Sequence, residues 1–474
     1  MKYKIIYFIG IKGVGMASLA LIAKQAGIHV LGSDVDTVFI TDTVLQKEHI
    51  QVLHGFDTKN IENLVYQSPD EILVIVTGAH HGLENPEAAA AREKGIKVVT
   101  HGQAVGLFME GDTFAKRYTG ISVAGAHGKT TTTALLATCL SFLNQDPTYT
   151  VGTSEIFPLT DAGHFGNGRY FVAEADEYAS DIMHDKKAKL LYQYPDFAII
   201  NNIDFDHPDF YQNLDDVKQV FDIFSQQVKK TIIVNGDDTN SQELIKKYNA
   251  KCITFGKEEK NIYRITDIST HELSISFRVF HQQEDKGIFS LSVPGSHNAL
   301  NALGVIALLV ELGFSFDKIR EVLPMFKGTK RRSEVLETTS GGAMVIDDYA
   351  HHPQEIKTTL ESLSQAFPDK KIVCIFQPHM YSRTKALLDD FVSAFEKTNT
   401  LFFLPIFASA REKVEDPLIY KEIEQKFNSI KTHVIFPENE AFVVEYINKN
   451  LNNPDILIVT MGAGDVYKIG EKLL

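Results

Sequence analysis

An apolar strand at residues 121–124 runs directly into Gly125-Ala126-His127-Gly128-Lys129-Thr130-Thr131, and a helical pattern continues from Thr130 to about Leu143. Strand, glycine turn, Lys-Thr and helix in that order make this stretch an α/β unit with a defined edge. Glycines let successive N–H groups close around phosphate oxygens, and the helix N-terminus adds the positive end of its dipole. Lys129 is then placed for the outer phosphates of ATP, and the Thr130 hydroxyl for Mg²⁺. The common G-x-x-x-x-G-K-S/T spacing needs glycine at position 123, where this chain has Val123, so the loop is a shortened form beginning at Gly125.

The same alternation recurs on both sides. Residues 5–9 form a strand, followed by Gly10-Ile11-Lys12-Gly13-Val14-Gly15-Met16 and a helical pattern to Gln25. A second strand spans 29–31 and ends at Gly32-Ser33-Asp34, and a third spans 72–76. Further strands are expected at 170–173, 197–200 and 231–234, then at 344–346, 372–376, 401–404 and 456–459. Strands separated by helices point to parallel sheets. The interval 262–293 differs: 273–279 and 288–293 alternate and are β-branched or aromatic, which predicts a small antiparallel appendage. A helix with a wide apolar face follows at 298–312. The expected fold is α/β in three domains: a Rossmann-like domain at 1–110, a central P-loop ATPase-type domain with the appendage at 111–327, and a Rossmann-like domain at 328–474. A length of 474 residues suits three such domains.

Composition narrows the function. Lys plus Arg is 47 and Asp plus Glu is 61, a formal charge of −14, which argues against nonspecific nucleic-acid binding. Cys139, Cys252 and Cys374 are far apart and odd in number, which fits a reducing cytoplasm and not a disulfide framework. No apolar run approaches a membrane span, and the 5–9 run is too short for a signal peptide. Monomer and dimer are equally compatible with the sequence.

Polar residues gather after the expected strands. Glu174-Ala175-Asp176-Glu177 follows one, where a magnesium ligand belongs beside a phosphate loop. Asp204-Phe205-Asp206-His207-Pro208 follows another, and Glu174 and His207 are the candidate ligands, His207 being equally readable as a capping turn residue. Gly10 to Gly15 spells G-x-x-G-x-G, not the G-x-G-x-x-G of a nicotinamide dinucleotide site, so an oxidoreductase is disfavoured. A phosphate-bearing nucleotide remains expected there, with Asp34 on a ribose or sugar hydroxyl. In the third section, Asp347-Asp348-Tyr349-Ala350-His351-His352 and Gln377-Pro378-His379-Met380-Tyr381-Ser382-Arg383-Thr384 both follow strands. Arg383 is suited to fork a carboxylate, and Lys330-Arg331-Arg332 brings cations to the boundary. A non-catalytic nucleotide-binding regulator is the competing class, opposed by intact Lys129, Thr130 and Glu174.

Taken in order, these motifs resemble the Mur ligases over essentially the full chain, and within them the alanine-adding branch. Further carriers are Asn85-Pro86-Glu87, Glu174 to Tyr178, Asp206-His207, His297-Asn298 with Asn301, Arg331-Arg332, and the 407–413 stretch Phe-Ala-Ser-Ala-Arg-Glu-Lys. The resemblance implies a bacterial, cytoplasmic, ATP-dependent acid–amino-acid ligase of peptidoglycan precursor synthesis, joining L-alanine to the lactyl carboxylate of UDP-N-acetylmuramate through an acyl phosphate. It implies that the first section holds the UDP moiety through Gly10, Lys12, Gly13, Val14, Gly15, Ser33 and Asp34. ATP falls to the loop Gly125, Ala126, His127, Gly128, Lys129, Thr130 and Thr131, with Asn298 near adenine and Arg331 and Asp347 closing over it. Two Mg²⁺ ions, replaceable by Mn²⁺, fall to Thr130, Glu174 and His207, and the amino acid to His351 and Arg383. Lys129, His207, His351 and Arg383 are the implied catalytic set. A sibling that recycles the cell-wall tripeptide shares part of the pattern. In the alanine-adding branch the third-section element usually reads Q-P-H-R-Y-S/T-R-T; here Met380 replaces the first arginine, leaving one cation fewer for the amino-acid carboxylate.

Overall fold

The computed structural model describes residues 1–64, 66, 68–407, 418–427 and 431–474. Residues 408–413, which carry most of the 407–413 stretch, lie outside them. The fold divides into two compact units: one of residues 1–267, 277–291 and 300–327, the other of 268–276, 292–299 and 328–474.

Among the described residues two large sheets lie wholly or mostly in the first unit. One has five strands in the order Gln51–His54, His29–Asp34, Ile5–Ile9, Ile72–Val76 and Lys97–Thr100, all parallel. Its strands are apolar almost throughout because both faces are covered. Ile6, Phe8, Leu73 and Ile75 pack on one side with Leu19, Ile22 and Phe108, while Tyr7, Ile9, Val74 and Val76 pack on the other with Ile61, Ala88 and Ala91.

The other sheet has ten strands, with Thr119–Ala124 flanked by Tyr170–Ala175 and Phe197–Ile200, both parallel to it. Ala124 is level with Ala175 and with Ile200. Three neighbouring strands therefore deliver Gly125, Asp176 and Asn201 to one edge, which is where ligands settle in open α/β sheets. The expected appendage is not a separate sheet. Tyr263–His271 joins the edge of the central sheet through Phe255↔Tyr263 and Gly256↔Arg264, and Ser274–His281 and Glu284–Leu291 extend it by two-residue turns. Glu272, Gln282 and Gln283 in those turns have positive φ, as tight hairpins demand.

The second unit carries a six-stranded sheet in the order Glu334–Thr338, Met344–Asp348, Ile456–Met461, Lys371–Phe376, Thr400–Phe403 and His433–Ile435; the first pair is antiparallel and the others parallel. Again both faces are apolar, with Ile346, Cys374 and Val459 on one and Val345, Val373 and Ile458 on the other. No helix among the described residues is long and apolar enough to cross a membrane.

Candidate active site

The 125–131 loop joins the Thr119–Ala124 strand to the Lys129–Phe142 helix. Both of its glycines are constrained by their backbone and neighbours. Gly125 has φ +143°, and a Cβ there would come within 3.1–3.3 Å of Asn201 and Asn202; Gly128 caps the helix at φ +80°, with Asn301 Oδ1 2.9 Å from where its Cβ would stand. Asn202 braces the turn, its Oδ1 accepting from His127 N–H at 2.9 Å and its Nδ2 donating to His127 O at 3.2 Å.

Lys129 is the first residue of the helix. Its ammonium donates to Gly125 O (2.7 Å), Ala126 O (3.2 Å) and both oxygens of Glu177 (2.8 and 3.1 Å). Burial alone would pull its pKa down, but Glu177, then Asp176 and Glu174, outweigh it and hold the ammonium above the usual lysine range. Thr130 Oγ1 donates to Glu174 Oε2 at 3.3 Å, and Glu174 Oε1 accepts from Gly152 N–H at 2.6 Å. His207, at φ +57°, sets Nε2 3.8 Å from Glu177 Oε1 and 3.7 Å from Asp206 Oδ2. Its ring lies 4.4 Å from that of Tyr178, whose hydroxyl donates to Asp209 at 2.5 Å. Asp176 is paired with Lys189 at 2.7 Å; burial pushes it up, while Lys189, Lys129 and His207 together hold it well below the usual carboxylate range.

The structure thus gathers Lys129, Thr130, Glu174 and His207 at one edge, and adds Glu177, which touches Lys129 and borders His207. Asp176, Glu177 and His207 each offer a ligand atom within 4.8 Å of the others. Carboxylates beside a loop threonine fit a hard divalent cation, and the imidazole makes Mn²⁺ as acceptable as Mg²⁺. Glu177 was not singled out by the sequence, since its importance rests on a lysine 48 positions away.

The first loop has a different interior. Lys12 is 5% exposed, and its ammonium donates to Val35 O (3.0 Å) and Thr37 O (2.9 Å), with Asp42 at 3.5 Å. Its N–H goes to Asp34 Oδ2 at 2.7 Å. Ser33 Oγ donates to Glu87 Oε2 at 2.5 Å, and Tyr7 and Asn60 also donate to this fully buried carboxylate, whose pKa burial raises. Ser33 and Asp34 sit inside the His29–Asp34 strand rather than beyond it. Gly13, Val14 and Gly15 open the Val14–Gln25 helix, whose Gly13 cap has no side-chain hydrogen bond.

Asn298, Arg331, Asp347, His351 and Arg383 belong to the other unit. Arg331 Nε donates to Asp347 Oδ2 at 2.8 Å and its Nη2 to Gly462 O at 2.7 Å, with the guanidinium over the Tyr467 ring at 4.6 Å. Asp347 and Asp348 end a strand rather than begin a loop. Burial raises both pKa values, with Arg331 opposing it at Asp347 and Arg332 at Asp348. His351 Nδ1 stands 3.1 Å from Tyr349 O, and its ring meets that of His379 edge-on at 6.1 Å. His352 caps the Pro353–Ala366 helix. Met380 adopts φ +74° and is buried, as is Arg383. Asn298 Nδ2 donates to Pro294 O at 2.7 Å.

Known proteins resemble this chain over its whole length. Residues 5–113 match the model of the Mur ligase family, catalytic domain, residues 123–309 that of the Mur ligase middle domain, and residues 331–464 that of the Mur ligase, glutamate ligase domain. The UDP-N-acetylmuramate–L-alanine ligase of Caldanaerobacter subterraneus subsp. tengcongensis is 37% identical over 476 residues, spanning 100% of this chain and 98% of the relative. That of Desulfitobacterium hafniense is 37% identical over 473 residues, with 99% of each covered. The solved UDP-N-acetylmuramate–alanine ligase of Thermotoga maritima superposes with a TM-score of 0.79 at 27% identity, covering 99% of this chain and 97% of its own.

Proposed function

The chain belongs to the Mur ligase family, and we infer that it is an ATP-dependent ligase that joins L-alanine to UDP-N-acetylmuramate in peptidoglycan precursor synthesis. The observation that carries the chemistry is Lys129 at the head of a helix, held against an acidic strand end that also meets Thr130 and His207. An amide bond cannot form from a carboxylate without activation. The lactyl carboxylate attacks the γ-phosphorus of ATP, the bond to ADP breaks, and an acyl phosphate results. The amine of L-alanine then attacks the acyl carbon and phosphate leaves with the C–O electron pair.

The backbone N–H groups at the head of the Lys129–Phe142 helix and the Lys129 ammonium neutralise charge on the transferring phosphoryl group. Thr130 and Glu174 would hold one divalent cation and His207 a second. Such cations supply charge neutralisation between nucleotide and carboxylate. The sugar nucleotide is held at the first loop by the backbone of Val14 and Gly15 at the helix head, with Gly10, Lys12, Gly13, Ser33 and Asp34 shaping that loop from within. In the other unit Arg331 and Asp347 serve ATP, while His351 and Arg383 serve the amino acid, His351 as candidate acceptor of the amine proton. Work on these soluble precursors supports a bacterial cytoplasmic setting.

Mass spectrometry tests the reading. The sugar nucleotide should gain one alanine residue for each ADP formed; ADP formed while the sugar nucleotide returns unchanged would contradict it. Met380→Arg should lower the KM for L-alanine by roughly tenfold, the worth of one charge-assisted hydrogen bond; an unchanged or higher KM would mean that the carboxylate is held elsewhere.

A further inference from the structure

An ammonium has three N–H donors and no acceptor. At Lys129 all three are spent, on two carbonyls of its own loop and on the carboxylate of Glu177. To donate to a phosphate oxygen, Lys129 must release one partner. The carbonyls of Gly125 and Ala126 are fixed by the turn that makes the loop. Glu177 is the partner that can leave.

Glu177 is itself 2% exposed, and its backbone carbonyl accepts from Tyr211 Oη at 2.5 Å, so its main chain is held and release of Lys129 must come from its side chain turning. A buried carboxylate stripped of its cation is costly unless another positive group takes its place. His207 Nε2 also borders it, 3.8 Å from Oε1. A phosphate oxygen arriving at Lys129 also meets a like charge in Glu177 unless that carboxylate has turned away.

We propose that Glu177 is a latch on Lys129: a positioning residue that keeps the phosphate-binding lysine occupied and releases it when positive charge gathers at the His207 side. This deepens the ligase reading and rests on it. The latch makes nucleotide binding depend on the divalent cation beyond the cation's own contacts with phosphate. With ATP alone, Lys129 is freed at the expense of an uncompensated buried carboxylate. With cation present, Glu177 exchanges one positive partner for another.

Calorimetric titration of the full chain with ATP, with excess chelator and separately with Mg²⁺, tests this without turnover. Glu177→Gln keeps the shape and removes the charge. It should bind metal-free ATP about tenfold more tightly than the parent and gain correspondingly less from Mg²⁺. Should Glu177→Gln fail to fold, Glu177→Asp, one methylene shorter, should shift metal-free affinity in the same direction by a smaller factor. Metal-free affinity that is unchanged or weaker in the variants overturns the latch. Lys129→Ala separates the two levels: if it binds ATP like the parent in Mg²⁺, the loop assignment itself fails, whereas lost binding there with no gain in the Glu177 variants sinks the latch alone.

Discussion

The two glycine loops look alike in sequence and differ in what their lysines face. Each follows an apolar parallel strand, opens a helix and carries one lysine. Lys12 is tied to Val35 O, Thr37 O and Asp42, all parts of its own wall. Lys129 is tied to Glu177, a carboxylate arriving from the neighbouring strand's end. On the proposed reading the first loop offers a phosphate mainly backbone N–H groups at a helix N-terminus, whereas the second adds the Lys129 ammonium. Binding a diphosphate needs the former, and moving a phosphoryl group needs the latter. Under the proposed function, strand, turn, helix and lysine make a phosphate-sized cradle, and the lysine's partners separate a loop that holds from one that reacts.

Truncating each lysine tests that contrast most severely. Lys129→Ala should cut phosphate release by about a thousandfold or more, since preorganised charge at the transferring group is lost, and it should also lower stability, because buried Glu177 is left without its cation. Lys12→Ala should differ in its kinetics. It should keep turnover within about tenfold but cost roughly 2 kcal/mol in chemical denaturation, because buried carbonyls and Asp42 lose their donor. Equal kinetic losses in the two variants would erase the distinction.

The helix caps give a smaller contrast. Gly128→Ala puts a Cβ at φ +80° and 2.9 Å from Asn301 Oδ1, so a stability loss of about 1–2 kcal/mol is expected by the same denaturation. Gly13 has φ −60°, and an added Cβ there meets nothing closer than Gly10 O at 3.7 Å. Gly13→Ala should leave stability within about 0.5 kcal/mol. A large loss at Gly13 would show that the first loop is the more strained.

The pH dependence is the mildest test. His101 packs its Nε2 against Gly15 of the first loop. Burial first, then Lys189, lower its pKa from 6.5 to about 4, with Asp176 and the Gly15 backbone opposing. The unfolded chain therefore binds the proton before the folded chain does, so this contribution is complete above pH 6.5 and drains away as pH falls towards 4. His297 in the other unit, lowered by burial to about 4, adds a slope of the same sign. Melting temperatures should drop between pH 7 and pH 5, and His101→Gln should flatten part of the drop; an identical slope in that variant would remove His101 from the account.

Sequence conveyed these two regions unequally. The strands at Ile72–Val76 and Phe197–Ile200 coincide with the expected residues because apolar runs buried on both faces have sharp polar ends. Where polar residues end a strand, the reading stopped short. Ser33 and Asp34, and likewise Asp347 and Asp348, look like loop residues, yet Glu87, the Lys12 N–H, Arg331, Thr460 and Ser333 satisfy them inside the sheet. The appendage was visible as alternating strands, but its attachment rests on a two-residue pairing with Cys252–Gly256 that no local pattern reports. At the candidate site, Lys129, Thr130 and Glu174 stand out by their order along the chain. The inward turn of Lys12 and the grip of Glu177 on Lys129 do not, because both are long-range side-chain choices.

Phosphate release from ATP and Mg²⁺, measured with UDP-N-acetylmuramate and one acceptor at a time, tests the central claim most directly. The acceptors are L-alanine, L-serine, glycine and the L-Ala-γ-D-Glu-diaminopimelate tripeptide. Release that requires both the sugar nucleotide and L-alanine is the predicted result. Release with the tripeptide alone, or with no acceptor in the series, would contradict it.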